Sequence, residues 1–237
     1  MRFLASAYWD IGKRKVNEDS LILQQIKIGK NTVVMAAVAD GIGSLDDGEI
    51  ASGYAVESLL KLLINGIKNG ISKGKGLRFV EKLLKKEVYR LSENMKKYAD
   101  LTAKAIGTTL SVLVVINSRY IIVHLGDTGI FRINKRNIKA ITPFHNNEDG
   151  SLCKCVGSIT FHEPFVKKGY LHRNAGFLLC TDGIHKKGID ILSKNNFLLP
   201  KDINSEEMIE KRLEQLGKKV DALGETDNKA AIYIKTY

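Results

Sequence analysis

The sequence has few cysteines, and they do not form a disulfide pattern. Cys153, Cys155 and Cys180 are neither an even set nor a CxxC pair, and Cys180 lies inside an apolar run, where a buried thiol is the usual occupant. We therefore expect a protein of a reducing compartment that folds without disulfide bonds.

Linker-like and repeated segments are also missing. No long Pro, Ser or Gln tract divides the chain, and no internal repeat is visible. A chain of 237 residues with 44% hydrophobic residues is long enough to bury a sizeable core. The simplest organisation is a single domain over residues 1–237.

Long hydrophobic runs are the third absence. The apolar stretch near the N-terminus is interrupted by Trp9 and Asp10, and no later segment reaches the roughly 18 uninterrupted apolar residues of a membrane span. We expect a soluble, cytoplasmic protein without a membrane span.

Acidic residues are in the minority, with 26 Asp and Glu against 37 Lys and Arg, for a net charge of +11. Such a charge could favour nucleic acid, an anionic membrane surface or phosphorylated partners. The lysines are spread through helical segments rather than gathered into an arm, and no nucleic-acid-binding motif is present. We therefore read a lysine-rich solvated surface and expect no nucleic acid.

Hydrophobic periodicity predicts strands and helices in separate groups. Short apolar runs bounded by turn formers predict strands at 3–10, 20–28 and 31–40, and a helical period predicts two helices, through Ala51–Leu62 and Leu77–Met95. Residues 107–136 read as a three-strand meander, residues 142–175 as an irregular insert, and the C-terminal part as a strand at 176–180, a helix through 209–220 and a last strand at 230–235. This order favours an α+β fold in which two packed antiparallel sheets are flanked by helices.

Carboxylates recur where an apolar run meets a turn. One predicted strand ends at Asp40-Gly41, and another apolar run ends at Asp182-Gly183. Acidic residues also lie where a predicted strand meets a turn at Glu18 and Asp19, at Asp127 and at Asp227. Each alone is a common turn signal. In a two-sheet sandwich, turns from several strands cluster at one end, so these residues could share a cleft.

Carboxylates gathered in one cleft repel one another and raise one another's pKa values unless cations neutralise them. An acidic cleft in a basic protein therefore implies bound metal. All-oxygen ligation suits Mg²⁺ or Mn²⁺, and no His or Cys cluster argues for zinc. Glycine at position 41 lets a backbone carbonyl approach an ion closely.

In this order, the motifs resemble the 2C class of metal-dependent Ser/Thr protein phosphatases. The resemblance rests on NEDS (17–20), VADGIG with GEIAS (38–52), GTT (107–109), VHLGDT (123–128), LLCTDGI (178–184) and TDN (226–228). It spans nearly the whole chain and implies hydrolysis of phosphoserine or phosphothreonine by a water or hydroxide held between two metals. It also implies phosphorylated protein substrates and a counterpart Ser/Thr kinase in signalling.

The resemblance assigns roles to individual residues. Asp40 would bridge two ions, with the Gly41 carbonyl on the first and Asp182 and Asp227 on the second. Glu18 and Asp19 resemble the acidic pair that supports the metals, and Asp127 with Asp182 matches the position of a third, weaker ion in bacterial-type relatives. Arg14 occupies the position that binds the substrate phosphate, to which a planar guanidinium can donate two hydrogen bonds.

Two departures from the family pattern stand out. Ile42 lies where some relatives carry a His proposed as general acid, so water would have to supply that proton. The insert at 142–175 is shorter than the flap that usually occupies this place, and we expect its His145, His162 and His172 to be non-catalytic. These departures leave open an alternative function, a catalytically weak or silent protein that binds phosphoprotein partners.

Overall fold

The computed structural model of the protein describes residues 2–134, 137–195 and 197–236. Lys135 and Arg136 of the predicted meander, and the two ends of the 1–237 range, lie outside the described residues. The strands are β1 Phe3–Asp10, β2 Asp19–Ile28, β3 Asn31–Asp40, β4 Leu110–Ile116, β5 Arg119–Leu125, β6 Gly129–Ile133, β7 Ile138–Ala140, β8 Phe165–Tyr170, β9 Gly176–Cys180 and β10 Lys229–Thr236. The helices are α1 Gly48–Leu62, α2 Lys68–Ser72, α3 Leu77–Thr102, α4 Asp182–Asn195 and α5 Glu206–Ala222, with a π-helical turn at Leu63–Ile67 and a 3₁₀ turn at Pro200–Asp202.

The strands form two antiparallel sheets of five strands each. The first sheet has the order β2-β3-β4-β5-β8, and the second has the order β1-β10-β9-β6-β7. Neighbouring strands are antiparallel throughout these pairings. The first and last strands thus meet in the second sheet, where β1 pairs with β10 along its whole length.

The apolar residues form three layers. Along β3, Val34, Ala36 and Val38 point between the two sheets, whereas Met35 and Ala37 point towards α1 and α3. A third apolar layer joins the second sheet to α4 and α5. Successive side chains of a strand point to opposite faces, so β3 is apolar at nearly every position because both of its faces are buried. The predicted arrangement of two sheets flanked by helices is confirmed.

The predicted meander is wrong in its third strand. β4 and β5 pair as a hairpin, but β6 pairs with β9 and β7 in the second sheet. Alternating hydrophobicity indicates a strand but does not identify the strand with which it pairs. The turn at 126–129 therefore resembles a hairpin turn in the sequence, whereas in the structure it connects the two sheets. The crossing carries Asp127 to the end of the sandwich.

Three further elements differ from the sequence-based prediction. The first helical run continues past Leu62 through the π-helical turn to Ser72, the insert at 142–175 contains β8, and the Asp182-Gly183 pair begins α4 rather than a turn. An acidic residue in the first turn of a helix interacts favourably with the helix dipole, so Asp-Gly at this place is compatible with either structure.

One helical run among the described residues, Gly48–Ser72, is long and apolar enough by length and composition to cross a membrane. Core helices of soluble proteins meet the same criterion. The buried side chains of this run, among them Ala51, Ala55 and Leu59, pack in the layer that covers the first sheet.

Candidate active site

Segments from both sheets meet at one end of the sandwich and enclose a cleft of about 170 Å³. They are the end of β3, the loop before β2, the crossing between β5 and β6, the start of α4 and the loop before β10. The cleft is lined by Arg14, Glu18, Asp40, Gly41, Ile42, Gly43, Thr109, Asp127, Leu152, Asp182, Asp227 and Asn228. The structure therefore brings together every site residue expected from sequence except Asp19, which lies behind the lining.

The pairing of β2 with β3 places Asp19 opposite Asp40. The buried carboxylate of Asp19 accepts a hydrogen bond from Thr181 Oγ1 at 2.7 Å. The backbone of Asp40 is held by the GTT segment: its N–H donates to Thr109 Oγ1 at 2.9 Å, and its carbonyl accepts from Thr108 Oγ1 at 2.9 Å. Strand register and the Thr181 hydroxyl thus fix the Asp19 carboxylate, whereas Thr108 and Thr109 hold Asp40 through its backbone.

Burial and mutual repulsion raise the pKa values of these two carboxyls. Burial is the main cause for both, and the other cleft carboxylates add to it. The pKa of Asp19 is raised to about 8, and that of Asp40 lies well above its usual range. Without a cation in the cleft, the protein therefore resists ionising Asp19 and Asp40 together.

Two of the carboxylates are paired with cationic side chains of the protein. Arg14 Nη2 lies 3.0 Å from Asp227 Oδ2, and Lys186 Nζ lies 2.6 Å from Asp182 Oδ2. Burial lowers the pKa of Lys186, but the hydrogen bond to Asp182 and the surrounding carboxylates outweigh burial and raise that pKa above its usual value. Both cationic partners bond Oδ2, and Oδ1 of Asp227 accepts from the Asn228 N–H at 2.9 Å.

Glu18 is surrounded by glycine backbone. A Cβ atom at Gly43 would lie 2.6 Å from Glu18 Oε2, and one at Gly48 would lie 2.6 Å from Glu18 Oε1. At Gly41 a Cβ atom would lie 2.2 Å from the Gly48 carbonyl oxygen. Glycine is therefore required at position 41, where backbone meets backbone, whereas the atoms nearest to Gly43 and Gly48 belong to the flexible end of the Glu18 side chain.

The Asp127 turn is held from two sides. Its carbonyl lies 2.8 Å from His185 Nε2 on α4, and the preceding Gly126 N–H donates to His145 Nδ1 at 3.0 Å. The Asp127 carboxylate accepts from Asn146 Nδ2 at 3.0 Å. His145 thus supports the turn and is not among the described residues that line the cleft.

Asn228 is a site residue that the sequence reasoning missed. Its Nδ2 donates to the carbonyls of Ile11 and Val16 at 2.8 and 3.1 Å, and its Oδ1 accepts from the Glu18 N–H at 2.9 Å. The side chain therefore fastens the loop carrying Arg14 and Glu18 to the loop carrying Asp227. The TDN motif contained the signal, but an Asn after a metal-type Asp reads first as a turn residue.

The donor chemistry of the cleft fits hard divalent ions. Five carboxylate residues and Gly41 line the same cleft, and oxygen donors of this kind suit Mg²⁺ or Mn²⁺. The raised pKa values of Asp19 and Asp40 indicate that bound positive charge would be favourable there. Within residues 2–134, 137–195 and 197–236, no three Asp, Glu, His or Cys side chains lie close enough to hold one ion together.

Comparison with protein families gives one match over most of the chain. Residues 10–226 match the family described as Protein phosphatase 2C. A comparison with curated proteins finds no significant match.

Solved structures of similar fold are bacterial phosphatases. The serine/threonine phosphatase of S. agalactiae superposes on this chain with a TM-score of 0.76 at 16% identity, and the match covers 100% of both chains. A Staphylococcus aureus serine/threonine phosphatase gives 0.77 at 19% identity, covering 100% of this chain and 96% of the other. The catalytic domain of the phosphatase PstP, solved with two manganese ions, gives 0.73 at 21% identity, covering 98% and 97%. At these identities the likeness establishes the fold.

The raised pKa of Asp19 predicts a pH-dependent stability in the absence of divalent ions. An unfolded Asp titrates near pH 4, so the folded protein holds an extra proton between about pH 4 and the folded pKa of about 8. The contribution of this group is fully present below that window and is lost as the pH rises through it. In EDTA, urea unfolding should show a free energy of unfolding that falls from about pH 5 to about pH 8, less steeply in Asp19→Asn.

Asp149→Asn is the matched control for this pH dependence. The exposed Asp149 has its pKa lowered by hydrogen bonds from Ser151, so it titrates below the window and its loss should leave the slope unchanged. An unaltered slope in Asp19→Asn would contradict the assignment.

The contacts of the Asn228 side chain predict that its removal loosens the loop that carries Arg14 and Glu18. Asn228 is 4% exposed, and Asn228→Ala leaves the Ile11 carbonyl and Glu18 N–H without these partners, at a cost of about 1–3 kcal/mol for each unsatisfied group. We expect a lower free energy of unfolding in urea and faster hydrogen exchange at the Glu18 amide. The exposed Asn147, which donates to Ser151 Oγ, provides the control variant Asn147→Ala. Unchanged exchange at Glu18 would refute the fastening role.

Proposed function

The chain belongs to the protein phosphatase 2C family, and we propose that it hydrolyses phosphoserine and phosphothreonine in proteins with the help of two Mn²⁺ or Mg²⁺ ions. The observation that carries this proposal is the convergence of Asp40, Asp182 and Asp227 on one cleft with Arg14 at its rim. The two manganese ions in the PstP structure support the choice of metal.

We propose that Asp40 contributes to both ion positions, because it lies at the centre of the carboxylates that influence one another. The Gly41 carbonyl and Glu18 would belong to the first position, and the carboxylates of Asp182 and Asp227 would belong to the second. Asp19 supports the site from behind. When bound, such ions lower the pKa of a water molecule and neutralise the phosphoryl oxygens.

Arg14 is the proposed phosphate-binding residue. Its side chain is 50% exposed and bonds Asp227 through Nη2 alone. A guanidinium carries further N–H donors on its other nitrogens, so the ion pair with Asp227 can orient the group while those donors bind phosphoryl oxygens. The charge of Arg14 would then hold the substrate phosphate next to the carboxylate cluster.

Protonation of the leaving alkoxide is assigned to solvent. Ile42 and Leu152 occupy the apolar part of the lining, and no histidine is among the lining residues in the described part of the chain. Since Ile42 has no ionisable group, water entering the open cleft is the proton source that this arrangement supports.

The insert at 142–175 is the proposed counterpart of a substrate-selecting flap within one catalytic domain over residues 1–237. Asn146 bonds Asp127, and Leu152 lines the cleft. These two residues are also joined by an isolated β-bridge. The insert therefore touches the cleft where a phosphorylated segment would enter.

We also propose the cellular setting. Phosphoprotein substrates imply a counterpart Ser/Thr kinase, and the packing of Gly48–Ser72 against the first sheet supports a cytoplasmic protein without a membrane span.

Loss of the central carboxylates should abolish turnover. We expect Asp40→Asn and Asp182→Asn to lower kcat/KM by at least about a hundredfold, because each removes a proposed ligand charge. Hydrolysis of p-nitrophenyl phosphate and of a phosphothreonine peptide would be measured with Mn²⁺, Mg²⁺ or EDTA. Asp190→Asn, exposed on the same helix as Asp182, should keep wild-type activity. No turnover by wild type despite bound metal would instead favour a silent phosphoprotein-binding protein.

The Arg14 assignment predicts a graded loss. A charged hydrogen bond contributes about 1.5–3 kcal/mol, so Arg14→Ala should lower kcat/KM on the phosphothreonine peptide by about 10- to 100-fold, mostly through a higher KM. Arg14→Lys should lose less, because it keeps the charge without the planar fork. Lys15→Ala, an exposed neighbour, is the control. Equal effects of Arg14→Ala and Lys15→Ala would overturn the assignment.

A further inference from the structure

Lys186 places an ammonium group at the edge of the cleft. It lies one helical turn after Asp182 on α4, and its Nζ is 2.6 Å from Asp182 Oδ2. The side chain of Asp182 is 16% exposed and that of Lys186 is 61% exposed. An acidic residue four positions before a lysine is the favourable orientation of such a helical pair, so the contact follows from the sequence spacing.

The start of α4 is fastened to the Asp127 turn, which keeps Lys186 near both acidic residues. His185, the residue before Lys186, contacts the Asp127 carbonyl through Nε2 at 2.8 Å. Gly183 makes a similarly close approach on the other side, because a Cβ atom there would lie 2.0 Å from the Asn228 carbonyl oxygen. The position of the helix therefore cannot shift without disturbing Asp127 or Asn228.

The resemblance described above implied a third ion at Asp127 and Asp182, and the residues present do not fit it. One Asp182 oxygen is taken by Lys186, and one Asp127 oxygen accepts from Asn146. A divalent ion between these carboxylates would lie within a few ångströms of the ammonium. Like charges at such distances repel strongly in a partly buried site.

We propose that the ammonium of Lys186 supplies the positive charge for the Asp127–Asp182 pair, so that this protein binds two divalent ions and excludes a third. The proposal rests on the proposed two-ion function and deepens it. Asp182 would then serve two cations at once, with Oδ2 bonded to Lys186 and the rest of the carboxylate holding the second ion. Lys186 is a positioning residue in this account, because it acts through Asp182.

The exposure of Lys186 makes the proposal open to test. Exposed ion pairs contribute little to stability, so removing the side chain should leave the fold intact. Removing Arg14 would not be an equivalent test, because Arg14 is the proposed ligand of the substrate phosphate. Removing Lys186 therefore removes the positive charge beside Asp127 and Asp182 and leaves Arg14, the proposed phosphate ligand, in place.

The test is a Mn²⁺ titration of the full chain, followed by calorimetry and by the electron paramagnetic resonance signal of free Mn²⁺. We expect wild type and Lys186→Arg to bind two ions and Lys186→Ala to bind a third, weaker ion. Lys194→Ala, exposed on the same helix, should behave as wild type. Thermal unfolding of each variant would establish that it is folded.

The alternative outcomes separate the two proposals. A third ion in wild type, or only two ions in a folded Lys186→Ala, would overturn the role of Lys186 and leave the two-ion function intact. Fewer than two ions in wild type would overturn the proposed function, and the inference with it.

Discussion

Repulsion among carboxylates gathered at one end of the sandwich is the constraint on which the rest of the structure depends. Asp40 and Asp19 lie opposite each other in adjacent strands, and Asp182, Asp127 and Asp227 approach the same cleft from three other segments. Such a cluster is unfavourable by itself, as the raised pKa values of Asp19 and Asp40 show. It is held because three apolar layers fix the strands and helices that carry it.

The protein relieves part of this repulsion with its own side chains and leaves the rest for bound cations. Arg14 and Lys186 each pair with one carboxylate oxygen at the rim, whereas Asp40 is influenced mainly by burial and by other acids. The protein therefore supplies positive charge at the rim of the cleft, and the negative charge around Asp40 at its centre is left without a cationic side chain among the described contacts. Two divalent ions at the centre, with Arg14 directed to phosphate, reconcile this distribution with the family to which the chain belongs.

Local pattern predicted much of the fold, and long-range pairing accounts for what it missed. The strand at 31–40 has the predicted bounds because a continuous apolar run between turn formers is a local signal. One of the two partners of β6 is β9, with paired residues from Gly129 opposite Cys180 to Ile133 opposite Gly176, and no local signal identifies so distant a partner. Likewise, Asp182-Gly183 reads equally as a turn or as a helix start. The acidic residues were predicted as a group, but Asn228 and Lys186 were not, because their roles come from contacts with loops and carboxylates that only the folded chain assembles.

The measurement that tests this account most directly is anomalous X-ray diffraction from crystals of the protein grown with Mn²⁺. The account predicts two anomalous peaks in the cleft, both next to Asp40, with Asp182 and Asp227 on the second. Their separation should be about 3.5–4 Å, as in other two-metal sites. Crystals with the cleft open to solvent but no anomalous peak near Asp40, at Mn²⁺ concentrations that support turnover, would contradict it.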